Sequence, residues 1–131
     1  MGSELTTIRM QGTVAEATSL LHQLLAGRGV EVLASIDHAA GARRAGLELA
    51  DEVVVFFGSP AIGTGVMQDD PSAGIDLPLR IVFWDDNGMT FAAYRDPQEL
   101  ADDFDLVDHH AVPAKLSKFM TALASDLRAE R

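Results

Sequence analysis

Residues 85–88, Asp-Asp-Asn-Gly, lie between two apolar runs at 80–84 and 89–94, and no other segment constrains the fold as strongly. Asn-Gly is the strongest short-range signal for a β-hairpin, because both residues tolerate the positive φ angles of a two-residue turn. The flanking runs are therefore predicted to be strands that pair antiparallel. Any sheet in this protein must contain that pair.

Other segments of the sequence predict three more strands and two long helices. Thr13 and Glu16 have the spacing of a capping box, and an apolar stripe at helical spacing follows them. Pro113 suits the first turn of a last helix with a similar stripe. Short helical segments are predicted after Asp37, Pro60 and Pro97. The predicted strands are residues 5–11, 30–36, 52–57, 80–84 and 89–94.

The order of these elements predicts an α+β domain. We expect a mostly antiparallel sheet of about five strands with its two long helices on one face. In the second strand, Val30, Val32, Ala34 and Ile36 alternate with Glu31 and Ser35. An alternation with a period of two predicts one buried and one exposed face for this strand.

Length and composition limit the class of protein. A chain of 131 residues fits a single domain over residues 1–131. Twenty acids against ten bases give a formal charge of -10, which disfavours binding to the polyanionic backbone of nucleic acids. The absence of cysteine excludes disulfides and thiolate chemistry. Without an apolar run of membrane-spanning length or a secretory signal, we expect a cytoplasmic protein with no membrane partner.

Residues 52–68, EVVVFFGSPAIGTGVMQ, place an apolar strand before a glycine-rich segment, as phosphate-binding loops do. Gly58 and Gly63 have the spacing of a Walker A loop, but Thr64 stands where that loop has its lysine. A dinucleotide fingerprint is also incomplete, because the helical segment ends before Pro71 and is too short for a parallel crossover. We therefore interpret the segment as a tight turn that needs glycine, and we expect no cofactor.

Several blocks of sequence fall in the order and spacing of one known family. They are Gly29-Val30, Ile36-Asp37-His38-Ala39-Ala40-Gly41-Ala42, Gly46-Leu47, Phe57-Gly58-Ser59-Pro60, Gly63-Thr64, Met67-Gln68 and Asp76-Leu77-Pro78-Leu79. From about Val14 through Tyr94, the chain resembles the "domain of unknown function 302" family. The pattern departs at Gly65-Val66, where the family is expected to have Pro-Leu.

The resemblance implies a compact α+β fold of the type classed with TATA-binding-protein-like folds, in a protein that forms a homodimer. It does not imply DNA binding, because a fold alone does not carry a function. It brings no catalytic residue with it, since the role of that family is unknown.

Asp37 and His38 follow the second strand at a predicted helix start, where side chains often point into a cleft. His38 is the best candidate for a general base, with Asp37 or Asp76 as the carboxylate that orients it. In the alternative interpretation, Asp37 only caps the helix and His38 bonds a backbone carbonyl. Asp76 precedes an X-Pro turn, where an acidic side chain commonly fixes a loop.

The remaining candidates are weaker. Met67 could pair with His38 as a soft metal ligand, but a lone methionine more often fills a gap in a core. Residues 108–110, Asp-His-His, hold the adjacent histidines, and without a second spaced pair we expect solvent exposure and no metal site. Arg43 and Arg44 form a compact basic spot whose simplest role is a solvated helix face.

The sequence leaves three functions open. The first is a small-molecule pocket lined by the end of the second strand and by residues 58–67 and 76–78. Its candidate ligand-binding residues are Asp37, His38, Gly58, Pro60, Gly63, Thr64, Met67 and Asp76. The second is an enzyme that uses His38 with Asp37 or Asp76 as acid and base. The third is a structural or interaction module with no ligand.

Overall fold

The computed structural model describes residues 4–129 as five strands and six helical segments. In chain order these are β1 (Leu5–Met10), α1 (Val14–Gly27), β2 (Glu31–Asp37), α2 (His38–Arg44), β3 (Glu52–Gly58), α3 (Pro60–Asp69), a 3-10 helix (Pro71–Asp76), β4 (Leu79–Asp86), β5 (Met89–Arg95), α4 (Glu99–Asp103) and α5 (Val112–Ala129). The strands form one antiparallel sheet in the order β1-β5-β4-β3-β2.

The strands β4 and β5 form the hairpin that the sequence predicts. Asn87 and Gly88 have φ angles of 54° and 88°, the positive values that a two-residue turn requires. Asp86 lies opposite Met89 across this turn. The hairpin and the α+β class, with about five antiparallel strands, are both confirmed.

The two long helices, α1 and α5, lie on the same face of the sheet and form the main core with it. The predicted capping box starts α1, because the Thr13 N–H donates to the Glu16 carboxylate at 2.9 Å and the Glu16 N–H donates to the Thr13 hydroxyl at 3.1 Å. Arg28, next after α1, forms an ion pair with Asp126 of α5. The buried side chains of this core are Ile8, Met10, Val14, Ala17, Leu21, Leu25, Val55, Phe57, Ile81, Phe83, Ala92, Tyr94, Met120, Leu123, Ala124 and Leu127.

The other face of the sheet, here called the second face, carries the side chains that alternate with those of the core. Rows of side chains cross it from strand to strand. In one row, Val54 lies opposite Val82, and Val82 lies opposite Ala93. The next row toward the hairpin turn holds Trp84 and Phe91, whose ring centroids are 5.7 Å apart. The middle of the second face is therefore apolar.

The edge strand β2 departs from the predicted alternation. Its register with β3 shifts between Val32 and Ala34, so that Val32 lies opposite Phe57 on the core face while Ala34 lies on the second face. The prediction that Val32, Ala34 and Ile36 share one buried face is wrong, because the irregularity inserts Leu33 and moves the following side chains to the other face. Ile36 is 47% exposed.

A second, smaller apolar cluster packs around α3, the 3-10 helix, α4 and the segment before α5. Its buried members are Val66, Ala73, Leu100 and Leu106. Leu77, after the 3-10 helix, and Leu116 of α5 are partly buried against it. This cluster holds α3 beside the end of the sheet.

Candidate functional site

The glycine-rich segment forms the ten-residue helix α3. Ser59 is its N-cap and Pro60 is in its first turn, where a missing N–H costs nothing. The prediction of a helical segment after Pro60 is confirmed, whereas the interpretation as a tight turn is wrong, because Gly63 and Gly65 lie inside the helix and neither has a positive φ angle. At Gly65 the absence of a side chain serves packing, since a Cβ there would lie 2.8 Å from Nε2 of His109.

A cavity of about 240 Å³ lies between α3 and the turn into β4. We call it the α3 cavity. Its lining residues are Leu33, Gly58, Ser59, Pro60, Ile62, Gly63, Thr64, Met67, Leu77, Pro78, Leu79 and Leu116. None of these side chains is charged, and Ser59 and Thr64 supply the two hydroxyl groups. Such a surface favours an uncharged ligand with a mostly apolar body.

The fold brings together the candidate residues of one sequence segment. Those that line the α3 cavity are Gly58, Pro60, Gly63, Thr64 and Met67. Pro78, from the Asp-Leu-Pro-Leu block, lines it as well, whereas Asp76 lines a different cavity near the start of β4. Of the three segments predicted to line the pocket, residues 58–67 and residues 76–78 therefore meet at the α3 cavity.

Asp37 and His38 lie at the opposite end of the sheet from the α3 cavity. Asp37 is opposite Val53, and Glu31, six residues earlier on β2, is opposite Gly58. The five residue steps of β3 from Val53 to Gly58 span roughly 17 Å at the usual rise of a strand. The end of β2 therefore does not help to form the predicted pocket, because β2 and β3 run antiparallel.

The contacts of Asp37 match the alternative interpretation, in which this residue caps the helix. Its Oδ1 accepts a hydrogen bond from the Ala40 N–H at 2.9 Å, which caps α2, and the side chain of His38 is exposed. Asp76 precedes β4, whose Leu79 lies opposite Phe57 at the far end of β3. The fold therefore does not bring Asp76 beside His38. Met67 lines the α3 cavity, at the opposite end of the sheet, so it does not lie beside His38 either.

A carboxylate and histidine pair that the sequence did not reveal lies at the other end of α3. Asp69 Oδ1 is 3.1 Å from Nδ1 of His109, and its Oδ2 accepts the backbone N–H groups of Asp108 and His109 at 3.0 and 2.7 Å. The side chain of Asp69 is only 4% exposed. Burial raises its pKa, but the hydrogen bonds from His109 and Asp108 outweigh this, so the net pKa lies below its ordinary value.

Asp70 makes a parallel set of contacts. It accepts hydrogen bonds from the Ser72 hydroxyl at 2.6 Å and from the Asp105 N–H at 3.0 Å, and these lower its pKa. We call Asp69 and Asp70 the carboxylate clamp, because together they hold residues 105–109 against the end of α3. The prediction that the 108–110 segment is simply exposed is therefore wrong for His109, whose Nδ1 is buried.

Three further features of the described residues relate to the other predictions. No group of three or more His, Asp or Glu side chains within residues 4–129 is placed to hold a metal ion. Over the same residues, no helix combines the length and the apolar character needed to cross a bilayer. Arg43 and Arg44 are exposed on α2, as the simpler interpretation of that pair expects.

Comparison with protein families gives one match over most of the chain. The model of the family described as "Domain of unknown function DUF302" matches residues 6–123. The chain belongs to the DUF302 family. The resemblance inferred from the sequence blocks is therefore confirmed.

A solved DUF302 structure has the same fold. The crystal structure of an uncharacterized conserved DUF302 protein from Bacillus stearothermophilus matches with a TM-score of 0.81. The match covers 95% of this chain and 98% of that one, at 20% sequence identity. At this identity the comparison establishes the fold alone.

Curated relatives of this DUF302 chain are longer proteins. It is 37% identical over 100 residues to proteins named "Fluoride-specific ion channel FluC 1" from Brucella suis biovar 1 (strain 1330) and from Brucella abortus biovar 1 (strain 9-941). The match covers 76% of this chain but only 39% and 37% of those proteins. The chain thus spans about two fifths of the length of the curated relatives that it matches.

The departure from the expected DUF302 pattern at Gly65-Val66 has a local structural role. Val66 is fully buried in the second cluster, and Gly65 leaves the space that the ring of His109 occupies. In this DUF302 protein, the glycine at position 65 lets the ring of His109, in the segment before α5, pack against α3.

Proposed function

We propose that the chain is a small cytoplasmic binding domain whose ligand is a small, uncharged and mostly apolar molecule held in the α3 cavity. The observation that carries this proposal is the lining of the cavity, which contains apolar side chains and two hydroxyls but no charge. Small-molecule sites commonly combine an apolar wall with a few polar groups that fix orientation.

The exposed apolar side chains around this cavity support the proposal. Leu33 is 43% exposed, Ile62 is 43% exposed and Met67 is 37% exposed, and all three line the cavity. Removing apolar surface from water is favourable, so a ligand that covers these side chains gains affinity from each of them. At about 240 Å³ the cavity is below the range of about 300–1,000 Å³ typical of drug-sized ligands, which favours a small molecule.

The substitution Gly63→Leu should abolish ligand binding without unfolding the protein. A Cβ at Gly63 would lie 3.9 Å from the Met67 methyl and 4.0 Å from a Leu77 methyl, which is ordinary contact, so the new side chain extends into the cavity. Leucine also favours a helix by about 0.8 kcal/mol over glycine. Benzene and xenon, which enter apolar cavities, are suitable probes.

The measurement is the methyl resonance of Met67 as either probe is added. We expect a saturable shift of this resonance in the wild type and no saturable shift in Gly63→Leu. The control is Ala61→Leu, which alters an exposed position on the same helix and should shift as the wild type does. A wild-type protein that shows no saturable shift with either probe would overturn the proposal. Native mass spectrometry of the purified protein, before and after denaturation, would identify a retained natural ligand.

The curated relatives support a domain that can act within a larger protein. In the two Brucella proteins, the matched segment is one part of a longer chain. A ligand-binding unit of this size is suited to report the level of a small molecule to an attached partner. The fluoride channel activity in the names of the two Brucella proteins belongs to those longer proteins.

We also propose that two copies associate through β2 to form a homodimer. Among residues 4–129, β2 pairs only with β3, so its outer edge is available for another strand. Apolar side chains of β2 itself are exposed, with Leu33 43% and Ile36 47% exposed. These side chains would be covered in a continuous sheet across two copies.

Light scattering coupled to size-exclusion chromatography should give the mass of two chains for the wild type. Ile36→Lys should give the mass of one chain, because it places a charge in the proposed interface. Leu5→Lys is the matched control, since Leu5 is 50% exposed on β1 at the other edge of the sheet. A wild-type mass of one chain, or equal effects of the two lysines, would contradict the β2 dimer.

A further inference from the structure

We propose that the α3 cavity is completed by the second copy of the chain in the β2 dimer, and that the partner's His38 binds the polar group of the ligand. The ligand would then be a small apolar molecule with one hydroxyl group, of which phenol is the simplest aromatic example. The proposed site rests on both the cavity function and the β2 dimer proposed above.

Leu33 is the point at which the α3 cavity meets the edge of the sheet. It lies on β2, it lines the cavity, and its side chain is 43% exposed. Within residues 4–129, β2 pairs with β3 alone, so no further strand closes the cavity at Leu33. A strand added to this edge would therefore border the cavity.

A twofold-symmetric pairing of β2 with its own copy is antiparallel. Opposite residues of an antiparallel pair point to the same face of the sheet, so a twofold axis through the pair sets one residue against its own copy. An axis at Ser35 sets Ala34 against the partner's Ile36. Ala34 and Ile36 both lie on the second face of their own sheet, so the pairing is consistent and would cover Ile36, which is 47% exposed.

This pairing brings the end of the partner's β2 beside the α3 cavity. With the axis at Ser35, Asp37 of the partner subunit falls opposite Leu33, and the partner's His38 is the next residue along the chain. With the axis at Ile36, the partner's His38 falls opposite Ala34, which again places it next to Leu33. Neighbouring strands lie about 4.8 Å apart, a distance that a histidine side chain can span.

Asp37 fixes the position of this histidine. Its Oδ1 accepts a hydrogen bond from the Ala40 N–H at 2.9 Å, so the carboxylate caps α2 and His38 is the first residue of the helix. In the single chain the side chain of His38 is exposed. The grouping of His38 with residues 58–67, which the sequence predicts and the single chain does not form, would thus be formed across two copies.

The cavity wall and the histidine together select the ligand. The uncharged, mostly apolar lining favours an apolar body, and the ring nitrogens of histidine can donate to or accept from a hydroxyl group. Phenol and benzene differ by one hydroxyl group. The ratio of their affinities, compared between variants, therefore measures what the histidine contributes.

His38→Phe should lower the preference for phenol over benzene about fivefold, which corresponds to the loss of one hydrogen bond. The substitution keeps a ring at position 38 but removes its nitrogens. His22→Phe is the matched control, because it makes the same change at an exposed position of α1, and it should keep the wild-type preference. Titrations followed by the methyl resonance of Met67 give both affinities. Ile36→Lys, which should separate the dimer, should reduce the phenol preference as His38→Phe does while still binding benzene.

A mixture of two variants tests whether the histidine acts across the dimer. Gly63→Leu blocks the cavity but keeps His38, whereas His38→Phe keeps the cavity open. When isotope-labelled His38→Phe is mixed with unlabelled Gly63→Leu, the mixed dimers place an open cavity beside the partner's His38. The labelled chains in these dimers should regain the wild-type preference for phenol, with native mass spectrometry confirming that mixed dimers have formed.

Two results would overturn the proposal while benzene still binds the wild type. One is an unchanged phenol preference in His38→Phe, and the other is no recovery of that preference in the mixed dimers. Failure of benzene to bind the wild type would be a different result, because it would overturn the function proposed for the α3 cavity itself and the composite site with it.

Discussion

Replacing Phe57 with alanine should lower the free energy of unfolding by about 3–5 kcal/mol, the usual cost of deleting a buried phenylalanine side chain. Phe57 is completely buried in the main core, on the face of the sheet that α1 and α5 cover. The substitution removes a large apolar surface and leaves a cavity that close-packed neighbours fill only in part.

The neighbouring residue provides the matched control. Phe56 is half-buried on the second face, where its ring lies under the Arg80 guanidinium. Phe56→Ala should therefore cost only about 1–2 kcal/mol. Urea denaturation followed by circular dichroism gives both values. Equal losses would mean that the second face is buried as deeply as the core, which contradicts the two faces described for this sheet.

Replacing Asp69 with asparagine should clearly lower the urea midpoint at neutral pH. The carboxylate is nearly inaccessible to solvent and accepts two backbone hydrogen bonds, and His109 lies beside it. Asparagine carries no charge and has one acceptor oxygen in place of two, so Nδ1 of His109 loses its anionic partner even where that oxygen keeps the backbone bonds. Asp76→Asn is the control, because it removes the same charge from an exposed position.

The effect of Asp69→Asn should depend on pH in one direction. The pKa of Asp69 is lower in the folded protein than its ordinary value of 3.8. A group of this kind stabilises the fold fully above its unfolded pKa and loses that contribution as the pH falls through its folded pKa. The difference in urea midpoint between wild type and Asp69→Asn should therefore persist down to about pH 4 and shrink below 3.8. A difference that grew in acid would contradict the carboxylate clamp.

Short sequence signals predicted the secondary-structure features that contacts between nearby residues stabilise. The hairpin followed from Asn87-Gly88, the start of α1 from Thr13 and Glu16, and the cap of α2 from Asp37, since each of these contacts spans only a few residues. The blocks that resemble the family then predicted which glycines and prolines would meet near α3, and the lining of the α3 cavity contains residues from four of those blocks.

The features that sequence reasoning missed depend on contacts between distant residues. Asp69 and His109 are 40 residues apart, and a lone acid and a lone histidine carry no spacing that joins them. The bulge at Leu33 depends on how β2 registers against β3, which an alternating pattern cannot show. A helical segment after Pro60 was predicted, but its full length through Gly63 and Gly65 was not, because packing on the second cluster overrides the low helix propensity of glycine.

The contact between Gly65 and His109 also implies that position 65 can gain a side chain only if the residue at position 109 changes or moves. A side chain at position 65 would collide with the imidazole, so a chain with a larger residue there needs a smaller or displaced one at position 109. Proteins of the same fold that carry proline or leucine near this point of α3 should lack a ring at the facing position. The pairing would then mark a branch of the family, readable from paired substitutions in many sequences although neither residue alone reveals it.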